Sequence, residues 1–575
     1  MKVMPQLRVR GVAAVRQNCG LPRLSCEVGA TTPEALCPIR LRRHVRHVTE
    51  GLRIKLGVTF VLGAAVCFLA VWAYGREVSV TLLYTADLHG HLGGVLSDRE
   101  AERGGGLLRC ASLIRTIRQQ EPNVLLIDGG DLFQGSAESY LTRGDVVIDA
   151  VKALRYDALV TGNHEFDWGV ANLVRLYTKA NIPVLAANIT SDTPPAGKRY
   201  PWKPFLVKEM GGARVVIVGL ANPLTPGWIR PRLLDGLRFD QSVATLRRVL
   251  PAAREQHPDA LVLAAHQGYR QWGDNAANEI NAITRAFPEL DVILGAHTHA
   301  SVEGLELQDS AYIQPGCHGL WLAIVRLKID TERHCVTKRT AELIPVDSAV
   351  KPDPALESSC AGAMKDAQAY LNREIGRAAG QLLAQSRFPG QSQVQTLIAR
   401  AILDAVEADV VFHGTLTEGS LAMGRITMRD VWRIVPYENT IGVAQLTLGE
   451  LKEILEENSR YLNSDQFRGV YGVTYAIVKP KSAKSGNCEV QKIRLTDGHV
   501  LQEGDRIRVA FNSHDLAAAG VRFPRLREIV DRPTSRLEET AVDTREAVIA
   551  YIRKHQPLKE EAGAGARIVR ESRSR

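Results

Sequence analysis

Cysteine pairs at the spacing of a metal knuckle or a disulfide framework are missing from this chain. Of its nine cysteines, Cys19, Cys26 and Cys37 precede one long apolar run, Cys67 lies within it, and Cys110, Cys317, Cys335, Cys360 and Cys488 are scattered after it. No C-x-x-C occurs, which excludes a disulfide-framed miniature fold and a structural zinc knuckle. A basic surplus is missing from most of the chain as well. The formal charge is +9 over 575 residues, but residues 1–55 hold 11 Lys/Arg and 3 Asp/Glu; removing these from totals of 72 and 63 leaves 61 against 60. A nearly neutral globular part gives no electrostatic footing for nucleic acid. No internal repeat is visible. What is present, 45% hydrophobic and 23% charged residues, is ordinary for packed domains, and the length suits two or three of them.

The one long uncharged stretch is residues 56–74, flanked by Arg53 and Lys55 before and Arg76 after. It is long enough to cross a bilayer, whereas the apolar core of a signal peptide is about 7–15 residues. A core helix of that length would usually show a polar face. Residues 56–75 are therefore read as an N-terminal transmembrane helix. The basic arm of residues 1–55 stays in the cytoplasm and the rest is exported to the periplasmic or extracellular side. Ala73-Tyr74-Gly75 is a passable cleavage site, so a cleaved signal peptide is the alternative.

From 78 to 346 short apolar runs (79–85, 123–127, 158–161, 214–220, 260–264, 291–294) alternate with helical patterns (107–120, 146–154, 172–180, 243–255), the sign of a layered α/β domain. Taken alone they suit a sheet covered on both faces. A Pro-rich break at 345–354 leads to a connecting helix over 355–383. A second α/β domain follows over 386–555, and a charged tail over 556–575 reads as frayed.

Five apolar runs end in polar, metal-binding residues. They are Asp87-Leu88-His89-Gly90-His91, Gly129-Gly130-Asp131, Gly162-Asn163-His164-Glu165-Phe166-Asp167, His266, and His297-Thr298-His299. Ligands of open α/β sheets gather beyond the carboxyl ends of the strands. Each piece alone has a bland reading as a turn or a hydrogen-bonded loop; their convergence does not. Seven donors, Asp87, His89, Asp131, Asn163, His266, His297 and His299, serve two ions if Asp131 bridges. Mixed imidazole and oxygen donors without thiolate suit zinc, manganese, iron or cobalt rather than calcium. His91 falls beside this set rather than in it.

In this order the motifs resemble those of calcineurin-like metallophosphoesterases, and more closely the bacterial 5′-nucleotidase / UDP-sugar hydrolase family, over residues 78–550. The resemblance implies a four-layer α/β/β/α metallophosphatase domain followed by a smaller α/β C-terminal substrate domain. One ion would lie on Asp87, His89, Asp131 and His299, the other on Asp131, Asn163, His266 and His297. Water held by the metals would attack a small-molecule phosphate ester, a nucleotide above all. His164 would stabilise or protonate the transition state and Asp167 would orient it. His299 stands where nucleotidases often have Gln.

In the second domain Tyr437 takes the place of a base-stacking aromatic and Asn439 that of a polar base contact. Other positions depart from the family: the segment 412–419 lacks its phosphate-binding Arg, Asp515 stands for a stacking aromatic and Val521 for a ribose-binding Asp. Arg429 and Arg522 could replace the lost charge. Phe523 reads more readily as core than as a stacking surface. Two alternatives follow: a thiosulfohydrolase-like enzyme, whose loop 131–136 resembles, acting on a sulfur ester at the same centre, or a non-catalytic surface binding protein.

Overall fold

The computed structural model describes residues 77–94, 104–191, 200–386, 390–414, 416–462, 464, 466–479, 488–499, 502, 504–559 and 566–570. The basic arm and the apolar segment 56–75 lie outside them. Among the described residues no helix is long and apolar enough to cross a membrane.

A first sheet is laid down by β1 (Glu77–Thr85), β2 (Val124–Asp128), β3 (Ala158–Val160), β4 (Val184–Leu185) and, after a short strand β5 (Ile189–Ser191), β6 (Trp202–Lys203). A second takes β7 (Phe205–Met210), β8 (Ala213–Leu220), then, past β9 (Leu237–Phe239), which pairs with β5, β10 (Ala260–Ala265), β11 (Val292–Leu294), β12 (Ser301–Leu307) and β13 (Ser310–Pro315). The chain returns to the first sheet with β14 (Trp321–Asp330) and β15 (Cys335–Pro345). The spatial orders are β15-β14-β1-β2-β3-β4-β6 and β12-β13-β11-β10-β8-β7.

Alternation along the strands decides the layering. In β1, Val80, Leu82 and Tyr84 enter a core shared with Val215 and Ile217 of β8 and Val262 of β10, so the two sheets pack face to face. The opposite face of β1 puts Leu83 against helices α1 (Leu107–Gln120), α3 (Asp145–Ala153) and α4 (Gly169–Ala180); the short α2 (Ala137–Thr142) precedes α3. Val216 and Val218 of β8 meet α5 (Ser242–Arg254) and α6 (Ile280–Ala286) on the far side. A one-residue slip would exchange these faces, and each fully buried Val or Leu side chain contributes about 1.5–3 kcal/mol relative to exposure. The four layers α/β/β/α that the resemblance implied are present, whereas the single doubly covered sheet read from the runs alone is not. Three of its six strands belong to each sheet.

The connecting helix α7 (Pro354–Leu371) starts where Asp353 accepts the Leu356 N–H at 2.8 Å, with Pro354 pre-set for the first turn. It ends twelve residues before position 383. The stretch Glu374–Ala378, with Ile375 and Ala378 buried, pairs as an antiparallel strand with Gly424–Thr427. The C-terminal unit is built on a mixed sheet in the order Gly469–Tyr471, Val410–His413, Ile507–Asn512, Thr440–Leu446, Glu538–Asp543. The tail read as frayed contributes Ala566–Arg570, a strand parallel to Val473–Lys479.

Candidate functional site

The carboxyl ends of β1, β2, β3, β10 and β11 open toward one edge of the sandwich. There the ligand atoms of Asp87, His89 and His299 lie within 4.8 Å of one another, and those of Asp131, His266 and His297 form a second such group. To aim these side chains the backbone turns left-handed at Asp87, His89, Asp131, His297 and His299, with φ between 49° and 70°. Non-glycine residues rarely adopt that region, and strain of this kind clusters at functional sites.

Hydrogen bonds fix what the imidazoles offer. A carbonyl can only accept, so the His89 Nδ1–H donates to the Gln134 carbonyl at 2.8 Å and the His266 Nδ1–H to the Gly129 carbonyl at 2.7 Å. In the neutral rings the Nε2 atoms are then bare lone pairs. His89 Nε2 faces His299 Nε2 at 2.9 Å, and His266 Nε2 faces an Asp131 carboxylate oxygen at 3.1 Å. Asn163, only 3% exposed, has its Oδ1 without a hydrogen-bond partner. Against burial, Asp131 pushes the His266 pKa up to about 9, so a cation would displace that proton; with the Nε2 of His89 and the partnerless Asn163 oxygen, the residues fit a pair of divalent ions. Burial, with Asp131 and Asp128 adding to it, raises the Asp87 carboxyl well above the usual carboxylate range despite His266, as expected for carboxylates crowded together.

His164 stands apart from both groups. Its Nδ1 is 2.8 Å from an Asp167 carboxylate oxygen, and its backbone N–H donates to Asp131 Oδ1 at 2.8 Å. Burial works against charge on this ring, but Asp167 and Asp131 outweigh it and push its pKa up to about 10. The ring of Tyr437, from the C-terminal unit, lies parallel to it with centroids 6.2 Å apart.

Other positions named from the sequence lie elsewhere. His91 donates to the His89 carbonyl at 3.0 Å and stacks on His318 at 4.1 Å, behind the ligands. The Asn439 side chain accepts from the Ser513 hydroxyl at 3.4 Å, and its carbonyl from Thr544. Arg429 turns away onto α7, donating to Gln368 at 3.0 Å, so it does not supply the missing phosphate-binding charge. Asp515 is fully buried in a forked ion pair with Arg468 at 3.0–3.1 Å. Burial opposes its charge, yet Arg468 holds the carboxyl below the usual range. Phe523 is core, edge-on to Phe412 at 5.5 Å.

Residues the sequence did not flag include Trp228, 4.9 Å from the His297 ring, and Gln134, whose carbonyl sets the His89 tautomer. No local pattern announces the first. The second sits in the loop 131–136 already singled out.

A four-layer sandwich with two imidazole–carboxylate groups at its strand ends defines a metal-dependent phosphoester hydrolase. Residues 80–301 match the calcineurin-like phosphoesterase family and residues 374–528 the 5′-nucleotidase C-terminal domain. The chain carries, in this order, the metallophosphoesterase and 5′-nucleotidase C-terminal domains. It is 25% identical over 431 residues to the 5′-nucleotidase of Bos taurus, covering 68% of this chain and 73% of that one. It is 24% identical over 563 residues to Protein UshA of Yersinia enterocolitica, covering 89% and 96%. It spans 40% of the length of endonuclease YhcR of Bacillus subtilis, at 21% identity. The 5′-nucleotidase precursor from Thermus thermophilus shares the fold over 86% of this chain and 99% of that one, with a TM-score of 0.66 at 22% identity.

Proposed function

We propose that the chain hydrolyses small phosphate monoesters, nucleotides first among them, at a dimetal centre held by Asp87, His89, Asp131, Asn163, His266, His297 and His299. The observation that carries this reading is the pair of converging imidazole–carboxylate groups beside His164 and its Asp167 partner. Held by these residues, two divalent ions would supply Lewis-acid polarisation of phosphoryl oxygens and a more acidic water. His164, kept in its tautomer by Asp167, holds a proton on Nε2 for the departing oxygen, and its charge offsets the negative charge that develops there. Tyr437 lies parallel to His164 from the C-terminal side, 6.2 Å between ring centroids. Relatives named 5′-nucleotidase support nucleotides as substrates. The buried Asp515–Arg468 pair, where the resemblance implies a stacking aromatic, favours a leaving group held on one face, by Tyr437, rather than between two rings.

The test is release of inorganic phosphate by the purified protein with Mn²⁺ or Zn²⁺ from nucleoside monophosphates, sugar nucleotides, cyclic nucleotides and p-nitrophenyl phosphate. Turnover of the monoesters is expected. No release from any of them, with metal bound, overturns the reading. The apolar segment 56–75 supports export with a membrane anchor. An alkaline phosphatase fused after residue 575 should then be active in cells, and an inactive fusion overturns export.

A further inference from the structure

One buried ionisable group at the centre takes no part in that scheme. Glu165 is 4% exposed, and no Lys, Arg or His forms an ion pair with it among the described residues. Its carboxylate instead accepts three backbone N–H groups: Gly162 at 2.7 Å and Asp131 at 2.9 Å on one oxygen, Leu132 at 2.6 Å on the other. Those peptides come from two loops, the one after β2 that carries Asp131 and the one after β3 that carries Asn163. The loops approach so closely that a Cβ on Gly162 would come within 2.3 Å of Asp131 Oδ1, and one on Gly130 within 2.5 Å of the Gly162 nitrogen. Asp131 itself sits at φ 54°. From these contacts we infer that Glu165 is a positioning residue for the dimetal centre. It ties the two loops so that the carboxylate of Asp131 and the amide oxygen of Asn163 keep one spacing. This inference rests on the dimetal reading above.

Glutamine at this place has one acceptor oxygen, and its amino group would confront the peptide N–H groups that the carboxylate now receives. Aspartate keeps the charge but is a methylene short of reaching both loops. The test compares the full-length protein with Glu165→Gln and Glu165→Asp, each titrated with Mn²⁺. Readouts are metal stoichiometry, the electron paramagnetic resonance signal of an exchange-coupled manganese pair, circular dichroism, and kcat and KM for p-nitrophenyl phosphate. Glu165→Gln is expected to keep a native spectrum of circular dichroism while losing the coupled signal, with kcat at saturating Mn²⁺ at least tenfold down and KM changed less than threefold. A Glu165→Gln protein with the wild-type coupled signal and kcat within twofold overturns the inference. If that variant does not fold, Glu165→Asp decides: an altered coupling supports the tie, an unchanged one overturns it. Failure of the wild-type protein itself to bind two ions overturns the dimetal reading and the tie with it, whereas a wild-type pair unaffected by both substitutions overturns the tie alone.

Discussion

His266, fully buried, and His164, about a quarter exposed, both stand beside Asp131, and their hydrogen bonds separate their roles. Against burial, Asp131 raises the pKa of both rings, to about 9 for His266 and, with Asp167, to about 10 for His164. His266 commits its Nδ1–H to the Gly129 carbonyl and aims Nε2 at Asp131, where an ion can replace the proton, whereas His164 gives its Nδ1–H to the Asp167 carboxylate. His164→Ala should therefore retain both ions while turnover falls about 10²–10⁴-fold, the usual worth of general acid–base help. Metal analysis beside the rate measurement checks it, and loss of metal would show that the ring is a ligand. Arg468 makes a different prediction. Its pair with Asp515 is buried on both sides, so Arg468→Ala strands a carboxylate and should lower stability by about 3–5 kcal/mol in urea unfolding. A loss under 1 kcal/mol would mean water already reaches that pair.

At the scale of elements, amphipathic spacing was enough for helices such as Leu107–Gln120, whose Leu107, Leu108, Ala111 and Ile114 fall on one buried face. The strand runs and the polar residues after them were equally readable, because period-two alternation and an abrupt polar end are local. Which sheet a strand joins is not local: Leu82 and Val215 face each other across the sandwich, and nothing in either run names its partner. The short α2 and α6 and the strands β4 to β7, β9 and β12 to β15 were not read from the sequence, and the helix after Pro354 stops at Leu371, short of position 383. Four consecutive residues, Ala518, Ala519, Gly520 and Val521, form a left-handed turn with φ of 79°, 46°, 69° and 62°. The resemblance puts glycine or aspartate at several of these positions, so the turn keeps a glycine-like backbone with side chains that strain it. Val521 is 55% exposed and loses little packing on replacement. Val521→Asn should raise stability by about 1 kcal/mol, since left-handed backbone costs an ordinary residue about that much and Asn tolerates it. A rise of about 2–4 °C in Tm by calorimetry checks it.

The whole molecule is held together by contacts that also cover the centre. Arg230 of the catalytic domain is buried against the C-terminal unit, bonding Glu539 at 2.9 Å, Asp531 at 3.2 Å and the Leu516 carbonyl at 3.0 Å. Trp168 donates to Glu438, and Gln134 donates to the Pro436 carbonyl at 3.3 Å, one residue from Tyr437. Gln134 thus touches His89 through its backbone and the second domain through its side chain. Arg230→Ala should separate thermal unfolding into two calorimetric transitions and raise KM more than it lowers kcat, because Tyr437 is then less firmly seated. A single transition at the wild-type temperature would show that α7 and the remaining contacts suffice. One further consequence lies in the order of the ligands along the chain. Both metal groups draw their last member from His297-Thr298-His299, while their first members stand at Asp87 and Asp131. During synthesis, then, neither cage can close before that short segment has emerged and the second sheet has met the first. On the proposed assignment both sets of donors would be completed together, so a half-made chain presents no finished trap for a stray metal.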